Sequence, residues 1–183
     1  MNSFETEILN FLHNHLSCRI LDAVMPVITR LGDKGIFWIA VALVLLSFKK
    51  QRKNGTAMAV ALIIGFILGN LLLKNAVCRI RPYDFNAEIK PQLLIKELSD
   101  YSFPSGHTLA SFEAATVLMM GNRRLGIPAL ILAFLIAFSR LYLYVHYPSD
   151  VLAGALLGTV IGIASYKIPD SFYKRRQLKK AEK

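Results

Sequence analysis

Five stretches of the chain are almost continuously apolar: 35–48, 55–73, 109–120, 125–138 and 151–168. A helix crossing roughly 30 Å of hydrocarbon needs about 20 residues at about 1.5 Å each, so only the second and fifth stretches approach a span unaided. The others reach that length by extending into their flanks, 31–34, 104–108 and 139–143. Residues 1–32 follow a different pattern, with apolar positions recurring at helical spacing among polar ones. Phe4, Ile8, Phe11, Leu12 and Leu16 mark one amphipathic helix, with Asn2 as its cap. Ile20, Leu21, Val24, Val27, Ile28 and Leu31 mark a second that stops at Gly32 and is kinked at Pro26, where a backbone donor is missing. Neither is apolar enough to cross a bilayer alone. The pattern predicts an all-α fold: an integral-membrane helical bundle of about five transmembrane helices plus N-terminal amphipathic helices. One domain covers 1–183, with interfacial helices over 1–32 and a basic cytoplasmic tail over 169–183.

Composition agrees with this picture. The 183 residues are 54% hydrophobic against 19% charged, and mean hydropathy is +0.43. A disordered chain is excluded and an ordinary soluble domain is disfavoured. The formal net charge of +10 takes its meaning from where the charges lie. If the five stretches are spans, segments 49–54, 121–124 and 167–183 share one face of the membrane. They hold 13 of the 22 Lys and Arg residues, opposed only by Asp170 and Glu182. The other face sums to zero. Such asymmetry is what the positive-inside rule describes, and it assigns the basic face to the cytoplasm. The tail from Lys174 to Lys183 then rests on anionic headgroups. The basic residues form no patch interleaved with aromatics, so nucleic acid is not an expected partner.

Glycines add a packing signal. Gly154, Gly158 and Gly162 in the fifth stretch and Gly65 and Gly69 in the second repeat every four residues. Small residues at that interval let helix backbones approach closely in lipid.

On this topology the outer helix ends collect polar residues from three segments: Lys74, Arg79, Arg81 and Pro82; Pro104, Ser105, Gly106 and His107; Ser139, Arg140, His146 and Asp150. Lys74, Arg81 and Arg140 carry donors suited to phosphate oxygens, arginine in a bidentate grip. Ser105 and Gly106 open a helix, where glycine permits close backbone approach and the first N–H groups favour an anion. No aspartate cluster suits magnesium and no Cys/His spacing suits zinc, so neither a metal nor another cofactor is expected. Asp150 follows His146 by four residues, about one helical turn, with Pro148 tolerated at the helix start. A carboxylate on one imidazole nitrogen fixes the tautomer and leaves the other lone pair outward, as a histidine nucleophile requires. His107, without a comparable neighbour in sequence, is the better candidate to protonate a leaving oxygen.

Lys74-x6-Arg81-Pro82, Pro104-Ser105-Gly106-His107 and Ser139-Arg140-x5-His146-x3-Asp150 resemble, in order and spacing, the three signature motifs of the type 2 phosphatidic acid phosphatase superfamily. The resemblance covers about 75 residues and is specific because all three motifs are complete. It implies a metal-independent phosphatase that forms a phosphohistidine. His146 would be the nucleophile, Asp150 its partner and His107 the acid, while Lys74, Arg81, Ser105, Gly106 and Arg140 would hold the phosphate. The superfamily includes soluble vanadium haloperoxidases, from which five apolar stretches set this chain apart. It also implies a multi-pass protein of the plasma membrane with an extracytoplasmic site. The expected partners are membrane lipids and a lipid phosphate substrate. A polyisoprenyl carrier such as undecaprenyl diphosphate is preferred, and phosphatidylglycerol phosphate or phosphatidic acid is the alternative. A non-catalytic lipid-phosphate binder or transporter is a second alternative, for which paired His146 and Asp150 have no use. Oligomeric state stays open.

Other residues carry weaker expectations. Glu113, inside the third stretch, is expected to be paired structurally or to line a route for substrate. Arg79 is a candidate contact to phosphate or headgroups. Tyr142, Tyr144 and Tyr147 are expected in an interfacial aromatic belt. Loop 83–103, with charges that include Asp84, Lys90, Glu97 and Asp100, is expected to be largely solvated, with a lid as an open role. Cys18 and Cys78 are expected to be free thiols.

Overall fold

The computed structural model describes residues 3–86 and 88–181, with side chains over 4–86 and 88–168. Asn2 and the side chains of the tail, 169–183, lie outside the described residues. Among those described, every regular element is helical. Two helices, α1 (Ser3–Leu16) and α2 (Arg19–Arg30), precede five that correspond to the five apolar stretches. These are α3 (Ile36–Ser47), α4 (Arg52–Gly65), α6 (Gly106–Gly121), α7 (Arg123–Tyr142) and α8 (Pro148–Ala181). Helix α4 runs on through a π-helical stretch, Phe66–Leu73, into a last turn, α5 (Lys74–Val77).

The expectation of about five spans is met in helix number but not in length. By length and composition, 49–85, 123–142 and 148–168 suffice to cross a membrane. Helix α3 has 12 residues and α6 has 16, about 18 and 24 Å against roughly 30 Å of hydrocarbon. The flank adds nothing to α3 and only 106–108 to the start of α6. Lys34 and Gly35 take positive φ (51° and 67°), breaking the chain before α3. Ser105 is extended immediately before α6. Helix α6 tolerates its shortness because α4, α7 and α8 surround it, so most of its length meets protein instead of lipid.

That enclosure forms the core. Phe112, Ala115 and Val117 of α6 pack with Ala133 and Ile136 of α7 and Ala57, Met58 and Ala61 of α4. Trp38 of α3 is anchored by donating from Nε1 to Ser111 Oγ at 3.0 Å. The glycine repeat in α8 lies directly on the α6 backbone. A Cβ added at Gly154 would stand 2.8 Å from the carbonyl oxygen of Ser105, and one at Gly162 2.9 Å from that of Glu113. Gly65 of α4 makes room for the Glu113 carboxylate. Outward-facing Ile131, Phe134, Leu152 and Leu156 are exposed, as lipid-facing positions should be.

The N-terminal helices leave part of their apolar faces exposed, although Leu21 and Ile28 pack against the protein. Phe4, Phe11, Ile20 and Val27 are exposed, whereas Glu5, Leu9, Met25 and Thr29 are buried. Leu9 and Met25 join Tyr83, Tyr142, Tyr144 and Tyr147 in a second cluster beneath the α7–α8 connection. The tyrosines are therefore buried props, not an interfacial belt. The Tyr142 hydroxyl donates to Asp22 at 2.6 Å and that of Tyr144 to Asn10 at 2.7 Å, which satisfies their polar ends inside the protein. Cys18 and Cys78 are exposed free thiols.

Candidate active site

The polar ends of α5, α6, α7 and α8 meet at one end of the bundle, opposite the basic connections after α3 and α6. Three local features bring them together. The π-helical stretch carries an extra residue in each turn and so rotates the residues beyond it; Lys74, its first successor, is buried. Ser105 is tied to the next segment by its N–H, which donates to the Asp150 carbonyl at 3.1 Å. The α7–α8 connection turns back at Tyr144 (φ 57°), burying Val145 and His146.

A cavity of about 1220 Å³ opens there, and Lys74, Arg81, Gly106, His107, Arg140 and His146 line its polar end. Its other end is apolar and runs between α3 and α4 past Ile39, Leu43, Leu62, Ile63 and Phe66. The cavity thus combines a cationic cup with a hydrocarbon groove. Ser105 and Asp150 are absent from its lining and support the cup from behind: Ser105 Oγ accepts from Thr108 at 3.0 Å, and its N–H is taken by Asp150.

Within the cup, Arg81 is held by five groups, the longest of the carbonyl contacts being from Nη2 to Tyr101 at 3.3 Å. It donates from Nη1 to the Val145 carbonyl at 2.7 Å, from Nε to the Asp100 carbonyl at 2.9 Å and from Nη2 to the Asp100 carboxylate at 2.6 Å. Its Nη1 also lies 3.3 Å from His146 Nε2. Arginine can only donate, so Nε2 is the accepting nitrogen and the ring proton sits on Nδ1. Nδ1 faces Asp150 Oδ2 at 3.5 Å, looser than a hydrogen bond. Burial, then the charges of Arg81, Arg140, Lys74 and His107, hold His146 well below the ordinary imidazole range. A neutral ring with its Nε2 lone pair toward the cup results.

Arg140 is 1% exposed. Its Nη1 donates to Thr29 of α2 at 2.5 Å, while Nε and Nη2 have no partner among the described residues. Buried guanidinium donors left unbonded call for an anion. His107 Nε2 lies 2.8 Å from Asp33 Oδ1, and Gly32 leaves space for its ring: a Cβ there would meet His107 Cδ2 at 2.6 Å. Hydrogen bonding to His107, and then its charge and those of Arg140 and Arg30, outweigh partial burial and lower the Asp33 carboxyl.

Sequence reasoning missed several residues here. Asp33 and Thr29 come from the α2–α3 region, where the sequence pattern marks packing alone. Asp100, in the loop expected to be largely solvated, binds both Lys74 and Arg81. Burial alone would raise its carboxyl, but Lys74 and Arg81 bring it down to about 2. No spacing signal marks these residues, because each pairs across at least 19 positions of chain. Two expectations need correction. Arg79 does not reach the cup: it pairs with Glu5 and Asp150, because its guanidinium points behind the α8 start. Glu113 lines the cavity, but neither carboxylate oxygen has a hydrogen-bond partner among the described residues, so it is not structurally paired.

Residues 54–174 match the family model of the PAP2 superfamily. An undecaprenyl-diphosphatase of Sulfolobus acidocaldarius is 34% identical over 167 residues, covering 90% of this chain and 78% of that protein. The undecaprenyl-diphosphatase BcrC of Bacillus subtilis is 28% identical over 151 residues, covering 82% and 76%. Among solved structures, the transmembrane PAP2 type phosphatidylglycerolphosphate phosphatase of Bacillus subtilis superposes with a TM-score of 0.74 at 25% identity, covering 92% of this chain and 86% of that one.

Proposed function

The chain is a lipid phosphatase of the PAP2 superfamily, and from that premise we propose that it hydrolyses undecaprenyl diphosphate, or a closely similar polyisoprenyl diphosphate, through a phosphohistidine. The unsatisfied Arg140 donors beside a neutral, outward-facing His146 Nε2 carry this reading. The terminal phosphate sits among Lys74, Arg81, Arg140 and the α6 start at Gly106, backed by Ser105. Its lipid tail lies in the groove between α3 and α4. Nε2 of His146 attacks phosphorus, forming a P–N bond as the bond to the lipid-side oxygen breaks. His107 gives that oxygen its proton. Water then attacks phosphorus, His107 takes the proton back, and the P–N bond breaks to free inorganic phosphate and His146. Asp150 keeps the ring proton on Nδ1 and offsets the charge that develops.

The names of the two sequence relatives support a polyisoprenyl diphosphate as substrate. The structural likeness to a phosphatidylglycerolphosphate phosphatase supports a glycerolipid monophosphate as the second reading. The basic connections at the opposite helix ends support a multi-pass plasma-membrane protein with its site at the outer leaflet. Purified protein in detergent should release inorganic phosphate from undecaprenyl diphosphate faster than from phosphatidylglycerol phosphate. His146→Ala should abolish both that release and the acid-quenched phosphoenzyme. A His146→Ala protein with wild-type turnover would refute the mechanism, and a reversed substrate order would favour the second reading.

A further inference from the structure

Behind the cup, Arg79 makes three side-chain hydrogen bonds and does not line the cavity. Its Nη1 donates to Asp150 Oδ1 and to Ser149 Oγ, both at 2.6 Å, and its Nη2 to Glu5 Oε2 at 2.6 Å. The guanidinium lies over the Tyr147 ring, 3.9 Å from the centroid. Glu5 closes the circuit, since Oε1 accepts the Ser149 N–H at 2.9 Å. The other Asp150 oxygen, Oδ2, accepts the Tyr147 N–H at 2.9 Å and faces His146 Nδ1. The two oxygens of one carboxylate therefore do different work.

We infer that Arg79, clamped by Glu5 of α1, is a positioning residue for the phosphoryl-accepting histidine: it fixes Asp150 through Oδ1 so that Oδ2 alone faces His146. A carboxylate turns freely between broad wells unless both oxygens are held. Arg79 supplies that hold and takes up part of the carboxylate charge. His146 is otherwise surrounded by Arg81, Arg140, Lys74 and His107, all of which favour the neutral ring. Asp150 is the opposing group, and Arg79 and Glu5 stand behind it. With Arg79 removed, the undivided charge of Asp150 would draw a proton onto His146 and silence it at higher pH. The N-terminal helix, read from sequence as a membrane-surface element, is in this way wired to the reacting group. This inference rests on the reading of His146 as nucleophile.

The test uses the full chain in detergent with ¹⁵N-labelled histidine, signals being assigned by single replacement of the four histidines. The imidazole midpoint of His146 is followed by NMR in wild type, Arg79→Gln, Arg79→Lys and Glu5→Gln, alongside the pH profile of phosphate release. Arg79→Gln should raise the midpoint by about half a unit to one unit. The acid limb of kcat/KM should move with it, and kcat should fall about 10-fold with KM within twofold. Arg79→Lys keeps the charge and should return most of the midpoint. Glu5→Gln, nearly isosteric, should shift it in the same direction by less. A midpoint that stays put while activity falls equally at every pH would overturn the inference in favour of mere support of the fold. If Arg79→Gln does not fold, an unmoved midpoint with wild-type kcat in Glu5→Gln overturns it equally. Absence of phosphate release by the wild type would defeat the phosphatase reading alone, leaving the midpoint comparison to decide the role of Arg79.

Discussion

Replacing Gly158 by alanine adds one methyl group where α8 rests on the backbone of α6. Its Cβ would stand 2.5 Å from the Leu109 carbonyl oxygen, 3.1 Å from Phe112 Cβ and 3.2 Å from the Glu113 nitrogen. Carbon–oxygen contacts relax at about 3.3–3.6 Å, so the helices must part locally by roughly 0.8–1 Å. Two of the three obstacles are backbone, so no side-chain rotation absorbs the clash. Overpacking of this kind costs about 1–3 kcal/mol. One turn nearer the site, Gly154 faces the Ser105 carbonyl, and the Ser105 N–H donates to Asp150 at 3.1 Å. Stretching that link to about 4 Å would break it. His107, on the first turn of α6, would then shift against the His146–Asp150 pair at the start of α8. A misplacement of about 1 Å can cost up to about 100-fold in rate. Thermal unfolding in detergent and phosphate release, measured on one sample, should show a melting point lower by about 2–10 °C and kcat lower by about 10- to 100-fold. Leu156→Ala, on the exposed side of the same helix, should change neither. A Gly158→Ala protein with wild-type melting and turnover would refute the seating of α8 on α6 as the device that aligns the two histidines.

Asp33→Asn removes the carboxylate that favours a protonated His107, so the alkaline limb of kcat/KM should move down by up to about one unit and kcat should fall about 10-fold. An unmoved limb in the pH profile would release His107 from Asp33. Asp100→Asn frees Lys74 and Arg81 from an internal anion, so orthovanadate should inhibit the variant at several-fold lower concentration; weaker inhibition would instead show that Asp100 orients those cations. With its carboxyl at about 2 in the fold against about 3.9 when unfolded, Asp100 stabilises the protein above the unfolded value. That contribution is lost as pH falls from about 4 to about 2, and an acid titration of wild type against Asp100→Asn should show the difference in that window alone.

Much of this protein is written locally. Apolar stretches and the α8 glycine repeat are properties of adjacent residues, and hydrophobic burial acts on them wherever the chain goes; this is why the helices and the α6–α8 contact were legible. That Lys74, Arg81, His107, Arg140 and His146 share one cavity was legible for another reason, since they fall in compact motifs of side chains suited to phosphate. Their surroundings were not. Asp33, Asp100, Thr29 and Glu5 look like ordinary surface positions until the chain folds, because a charge acquires its partner only through tertiary contact. Tyr142, Tyr144 and Tyr147 have the composition of an interface belt, yet burial beneath the α7–α8 turn makes them props. Arg79 lies two residues from the cavity-lining Arg81 in sequence but faces the back of the site. Sequence alone thus determined the helices, the membrane setting and the polar residues that gather at the cavity. The tertiary structure alone decided which carboxylates restrain those groups, because electrostatic pairing depends on distance in space, and these partners lie up to 74 positions apart along the chain.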